Sequence, residues 1–194
     1  MNKSEFDIIL GLGNVGAQYE GTRHNVGFEV LKRVRSELKA KGLPDNDLFY
    51  SAEKNLGECR LILAWPRTLM NRSGLAAQAL LTERAIPPSH MLVVVDDFNL
   101  PLGRIRFRRS GSDGGHHGLE SLIEVLETED FPRLRLGTGP KPTGIGSIDF
   151  VLSRFSKEEL VAAEKMIDKA SEAVIFALNN RFDEAMTKFN FDPA

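Results

Sequence analysis

The chain has 194 residues, 42% of them hydrophobic and 27% charged, which is the make-up of a folded globular protein and excludes the disordered, fibrous and membrane-embedded classes. At this length folding buries roughly 70% of the unfolded surface, so the core needs no metal or disulfide. A net charge of −2 argues against a body coated in positive charge for nucleic acid, and Cys59, the single cysteine, leaves no thiol pair for a disulfide or a structural zinc. We therefore expect a reducing compartment, the cytoplasm. Met1 to Glu5 runs directly into a short apolar strand, without a secretion signal. No segment approaches the ~20 apolar residues that cross a bilayer. The expectation is one domain over 1–194, a monomer with no obligate protein partner.

In chain order, Asp7 to Leu10 reads as a buried strand that ends in the glycine-broken run Gly11-Leu12-Gly13-Asn14-Val15-Gly16. Val26, Val30, Leu31, Val34 and Leu38 recur near helical spacing, predicting an amphipathic helix over 26–41 closed by Gly42 and Pro44. Phe49 to Ala52 and Arg60 to Trp65 flank a turn signal at Asn55-Leu56-Gly57 and predict a hairpin. Ser73 is expected to cap a helix carrying Leu75, Ala76, Ala79, Leu80 and Leu81, which stops before Pro87-Pro88. The run Met91-Leu92-Val93-Val94-Val95 suits a strand covered on both faces, ending at Asp96-Asp97.

From Arg104 to Arg109 there are four arginines and no acid. Residues 104–108 alternate, so Ile105 and Phe107 face the core while Arg104, Arg106 and Arg108 form a basic stripe on the other face. Such a patch on a near-neutral body suits a ligand that offers phosphates to one side. A second glycine-rich loop (Gly111, Gly114, Gly115, Gly118) leads into a helix from about Leu119 to Glu127, then a strand near 134–137 and a third loop over 139–146. Helices are expected over 157–180 and 182–189. Interleaved strands and helices predict an α/β architecture: a single-domain three-layer sandwich, with a mixed, mostly parallel twisted sheet and helices on both faces.

The first loop fits G-x-G-x-x-G, but the polar stretch Gln18 to Asn25 stands where a dinucleotide-binding helix begins, and the region expected to hold the ribose-binding acid is helical. No H-E-x-x-H or G-x-S-x-G is present. His116-His117 beside Asp113 makes a poor metal set, since adjacent residues rarely aim at one ion and no third ligand is spaced to suit, so no metal is expected. The more promising grouping is His24, just before the first helix, with Asp96-Asp97 at the end of the most apolar strand. Sites in α/β sheets form at strand ends, and a carboxylate on one imidazole nitrogen makes the other a base for water. Asn14, Asn71 and His117 occupy neighbouring loops, where amides can grip a peptide and its carbonyl oxygen without adding charge; Met70 adds an apolar neighbour.

These residues also carry a resemblance. Gly11-Leu12-Gly13-Asn14 with Thr22-Arg23-His24-Asn25-x-Gly27, Met70-Asn71-x-Ser73-Gly74, Asp96-Asp97-x-x-Leu100-Pro101-x-Gly103 and Gly114-Gly115-His116-x-Gly118-Leu119 are similar, in order and spacing, to the signatures of the bacterial-type peptidyl-tRNA hydrolases. The resemblance covers nearly the whole chain. It implies hydrolysis of the ester between a peptide and its tRNA, without a cofactor, with His24 as base and Asp96 as the carboxylate that orients it. It further implies substrate contacts at Asn14, Tyr19, Met70, Asn71, His116 and His117, and tRNA contacts at Arg106, Arg108 and Arg135.

The chain departs from that pattern at four places. Val15 stands for proline, His117 for asparagine, Glu120 for lysine, and Gly137-Thr138-Gly139-Pro140 for Gly-Ile-Gly-Arg-Pro. An imidazole at 117 is bulkier than an amide and can become charged, and Glu120 reverses a charge close to the expected tRNA surface. Both substitutions keep open an alternative in which the chain is a weakened or inactive RNA-binding relative.

Overall fold

The computed structural model describes residues 4–44, 46–57 and 59–190. A seven-stranded sheet forms from β1 (Ile8–Gly11), β2 (Lys41–Gly42), β3 (Phe49–Leu56), β4 (Cys59–Pro66), β5 (Met91–Pro101), β6 (Ile105–Arg108) and β7 (Arg133–Gly139), in the order β2-β3-β4-β1-β5-β7-β6. The central strands β4, β1, β5 and β7 run parallel, and antiparallel partners close the edges, β3 with β2 on one side and β6 on the other. The helices are α1 (Val26–Leu38), α2 (Ser73–Arg84), α3 (His117–Leu126), α4 (Ser147–Leu152), α5 (Lys157–Asn179) and α6 (Phe182–Asn190).

Period-two alternation divides the strand side chains between two cores. Ile9, Leu63, Leu92, Val94, Phe107 and Leu136 face α1, α5 and α6. Ile8, Leu10, Ile62, Val93 and Val95 face α2 and α3. Apolar side chains at both parities are what a sheet covered on both faces requires. The expected three-layer α/β sandwich is therefore the observed fold.

Several element boundaries differ from the sequence expectation. The first helix ends at Leu38 rather than residue 41, because Lys39 turns left-handed (φ 51°) and Lys41–Gly42 pairs with β3 as an edge strand. Ser73 is already helical (φ −61°), and Arg72 occupies the cap position without a side-chain bond. Strand β5 does not stop at Asp96-Asp97 but runs to Pro101, with a register irregularity between Asp97 and Pro101. The irregularity lets the strand bend away while the two acids stay at the sheet's carboxyl edge. Helix α4 follows the third loop and was not expected.

Candidate active site

Three loops meet over the carboxyl ends of β1 and β5. The chain leaves β1, makes 3-10 turns at Ala17–Tyr19 and Arg23–Asn25, and enters α1. A Cβ on Gly27 would lie 2.5 Å from the Val94 carbonyl and 2.6 Å from that of Leu12, so only glycine lets α1 start this close to the sheet. That approach sets His24 above β5. Asn25 then clamps the first loop: its Oδ1 accepts from Asn14 N at 2.8 Å and its Nδ2 donates to Asn14 O at 2.9 Å. Asn14 Oδ1 in turn accepts from Met70 N at 2.8 Å, which leaves the Asn14 side-chain NH2 as its remaining donor.

The centre of the site is Asp96, 2% exposed. Its Oδ1 lies 2.8 Å from His24 Nδ1 and 2.9 Å from His116 Nε2. The two rings are 4.8 Å apart, tilted by 52°. Hydrogen bonding assigns the tautomers. His116 caps α3, its Nδ1 accepting from Gly118 N (3.1 Å) and Leu119 N (3.3 Å), so its proton sits on Nε2 and is donated to Asp96. His24 likewise donates from Nδ1, which puts its lone pair on Nε2. That nitrogen has no partner among the described residues and is not sealed from solvent.

Burial alone pushes the Asp96 carboxyl up; electrostatic attraction to the polar N–H groups of His24 and His116, and the hydrogen bonds they donate, outweigh it and hold the group well below the usual carboxylate range. The carboxylate is thus ionised, and its Oδ2 is buried with no hydrogen-bond partner. Among the described residues, His24, Asp96 and His116 are the group whose ligand atoms are close enough for a metal, all within 4.8 Å. In the arrangement seen, the nitrogens facing Asp96 are protonated donors, so the three side chains form a hydrogen-bonded triad around one carboxylate oxygen.

Next to Asp96, on the β5–β7–β6 side, a recess of about 190 Å³ is lined by His116, Asn99, Gly114, Arg108 and Arg135. Arg135 pairs with Asp97, and Arg106 sits opposite Arg135 in the β6–β7 register. Burial first, then Arg108, Arg135 and Arg104, lower the pKa of Arg106, the signature of crowded positive charge. Arg133 is buried and donates to the carbonyls of Gly111, Ser112, Glu129 and Phe131, tying the glycine loop to the sheet. Burial pushes its pKa down to about 10, which leaves it charged at neutral pH.

The structure thus joins His24, Asp96 and His116 in one hydrogen-bonded cluster and Asn14, Asn25 and Met70 in a second, linked to the first through the chain at His24-Asn25, with Arg106, Arg108 and Arg135 grouped on the β5–β7–β6 side. Tyr19 is half-buried in the turn before His24, and Asn71 is exposed beside Met70. His117 faces outward, its Nδ1 2.9 Å from Glu120 Oε2. Two residues that position the site escaped the sequence reading, Arg23 and Asn25. Both stand in the Thr22-Arg23-His24-Asn25-x-Gly27 signature, but no role was assigned to either.

A histidine–carboxylate couple at the carboxyl edge of a two-sided, centrally parallel sheet defines the structural class. Residues 8–194 match the family model described as "Peptidyl-tRNA hydrolase". The peptidyl-tRNA hydrolase of Fervidobacterium nodosum is 43% identical over 183 residues, covering 94% of this chain and 95% of that protein. That of Aquifex aeolicus is 41% identical over 186 residues, covering 96% and 97%. The crystal structure of peptidyl-tRNA hydrolase from Acinetobacter baumannii superposes with a TM-score of 0.90 at 28% identity, with both chains fully covered. The chain belongs to the peptidyl-tRNA hydrolase family.

Proposed function

We propose that this protein hydrolyses the ester joining a peptide, or an N-blocked amino acid, to the 3′-terminal ribose of tRNA. The observation that carries the reading is the 2.8 Å contact between His24 Nδ1 and the Asp96 carboxylate, with Nε2 left open. His24 Nε2 takes a proton from water as the water oxygen attacks the ester carbonyl carbon. The tetrahedral intermediate collapses with loss of the ribose oxygen, which takes that proton back from the imidazolium. The products are a free peptide acid and a tRNA with its hydroxyl restored, and water is the only co-reactant. Asp96 stabilises the transient imidazolium, and His116 holds Asp96.

The free NH2 of Asn14 is suited to donate to the carbonyl oxygen as negative charge develops there. Tyr19, Met70, Asn71 and His116 border the acyl group. His117 meets substrate at the mouth, exchanging its contact with Glu120 for one with the ligand. Arg106, Arg108 and Arg135 contact tRNA phosphates. Among the described residues no helix is long and apolar enough to cross a membrane. We read the protein as one domain over 1–194, acting as a cytoplasmic monomer without an obligate partner. The test is release of label from N-acetyl-aminoacyl-tRNA: His24→Ala should bind the substrate but lose roughly 10²–10⁴-fold in rate, and undiminished cleavage by that variant rejects the base assignment.

A further inference from the structure

We propose that a groove between α1 and the β3–β4 hairpin is the subsite for the peptide residues preceding the ester, and that it favours an apolar residue followed, toward the peptide's N-terminus, by an acidic one. The inference rests on the hydrolase reading. If Arg108 and Arg135 take the tRNA on the β5–β7–β6 side of His24 and Asp96, the acyl chain must leave on the other side, over β4 and β3. A cavity of about 370 Å³ lies there, within the range of small-ligand sites. It begins at Val15, the residue after Asn14, and its inner wall is Phe28 and Trp65.

The walls are fixed from outside, so the surface they offer is apolar. Trp65 Nε1 donates to Phe28 O at 3.3 Å, and the Arg67 guanidinium lies 4.5 Å from the centre of the Tyr50 ring, another wall. From Phe28 through Lys32 to Arg35 the groove follows one stripe of α1. Those two turns span about 10 Å, the reach of about three extended residues. The far end is cationic, with no acid in the lining. Lys32 pairs with Glu29 at 2.7 Å, whereas Arg35 is exposed and has no ion-pair partner among the described residues. An acyl chain entering past Asn14 would therefore pass an aromatic wall and then reach free positive charge.

Trp65 is the only tryptophan, so its emission reports filling of this groove independently of catalysis. The full-length protein is titrated with N-acetyl-Glu-Leu-Phe amide and N-acetyl-Lys-Leu-Phe amide. The Glu peptide should change Trp65 emission and bind about fivefold more tightly than the Lys peptide, and Arg35→Glu should reverse that order. In hydrolysis assays Arg35→Glu should raise KM for N-acetyl-Glu-Leu-Phe-tRNA by a similar factor and leave N-acetyl-Phe-tRNA unchanged. Cleavage of both substrates with an unresponsive Trp65, or with equal affinity for both peptides, overturns the subsite and leaves the hydrolase reading standing. A responsive Trp65 with the expected order but no cleavage supports a peptide groove and rejects the hydrolase reading. Absence of both signals rejects both.

Discussion

Arg23 Nη2 donates to Glu159 Oε2 at 2.6 Å, joining the residue before His24 to the first turn of α5 across most of the chain. The guanidinium also donates to the Thr138 carbonyl at 3.0 Å and lies 4.5 Å and 4.6 Å from the centres of the Phe150 and Phe155 rings. The same Glu159 oxygen accepts from Ser156 N, completing the capping box that starts α5. The turn bearing His24 is therefore held by the C-terminal half of the molecule rather than by its sequence neighbours alone.

Replacing Arg23 by lysine keeps the charge but loses the planar fork that reaches Thr138, Ser153 and Glu159 together. We expect kcat to fall about tenfold or more, since small displacements of a catalytic group are costly, with little change in KM. Steady-state kinetics well below the melting temperature check this; an unchanged kcat would make Arg23 merely structural.

Asp96→Asn should lower kcat by roughly 10²–10⁴-fold, because the amide cannot stabilise an imidazolium and need not select the reactive His24 tautomer. It should also alter the acid limb of stability. The folded-state pKa of Asp96 lies below its ordinary value of 3.8, so its ionisation contributes stability in full above that value and loses it as pH falls through and below about 4. Urea unfolding between pH 6 and pH 3 should show a shallower decline in the variant than in the wild type.

His116 performs two tasks that substitutions can separate. His116→Ala removes both the cap of α3 and a partner of Asp96, with an expected loss of ~1 kcal/mol from the cap alone. Asparagine is itself a good cap, so His116→Asn should recover most of that stability without recovering activity. Thermal melts and initial rates on the two variants measure the separation.

If the arginines contact tRNA phosphates, neutralising each one should shallow the log–log salt dependence of binding by up to about 0.9. Arg135 already pairs with Asp97, so its removal should change the slope less than removal of Arg108, which has no such ion pair among the described residues. Filter binding over a range of salt concentrations decides it.

Much of this was legible in the sequence because it depends on local rules. Alternation in residues 104–108 assigned Ile105 and Phe107 to the core and Arg106 and Arg108 to the other face, and the structure agrees. The unbroken apolar run at 91–95 announced a strand covered on both sides, as β5 is. The misses lie where long-range contacts override local preference. Lys41–Gly42 became a strand only because β3 offered it partners, and α4 (Ser147–Leu152) follows the proline- and glycine-bearing loop over residues to which no element was assigned.

The sequence by itself determined the α/β class, the order of most elements and the choice of His24 and Asp96 as the residues to watch, since periodicity and strand ends are encoded within a few neighbouring positions. Only the tertiary structure decided that one carboxylate oxygen serves two imidazoles, that α3's first turn selects the His116 tautomer, and that Arg23 and Asn25 brace the turn on either side of His24. Those relations join residues far apart in the chain, and a hydrogen bond that depends on tenths of an ångström exists only once the packing of the whole sheet has set both ends.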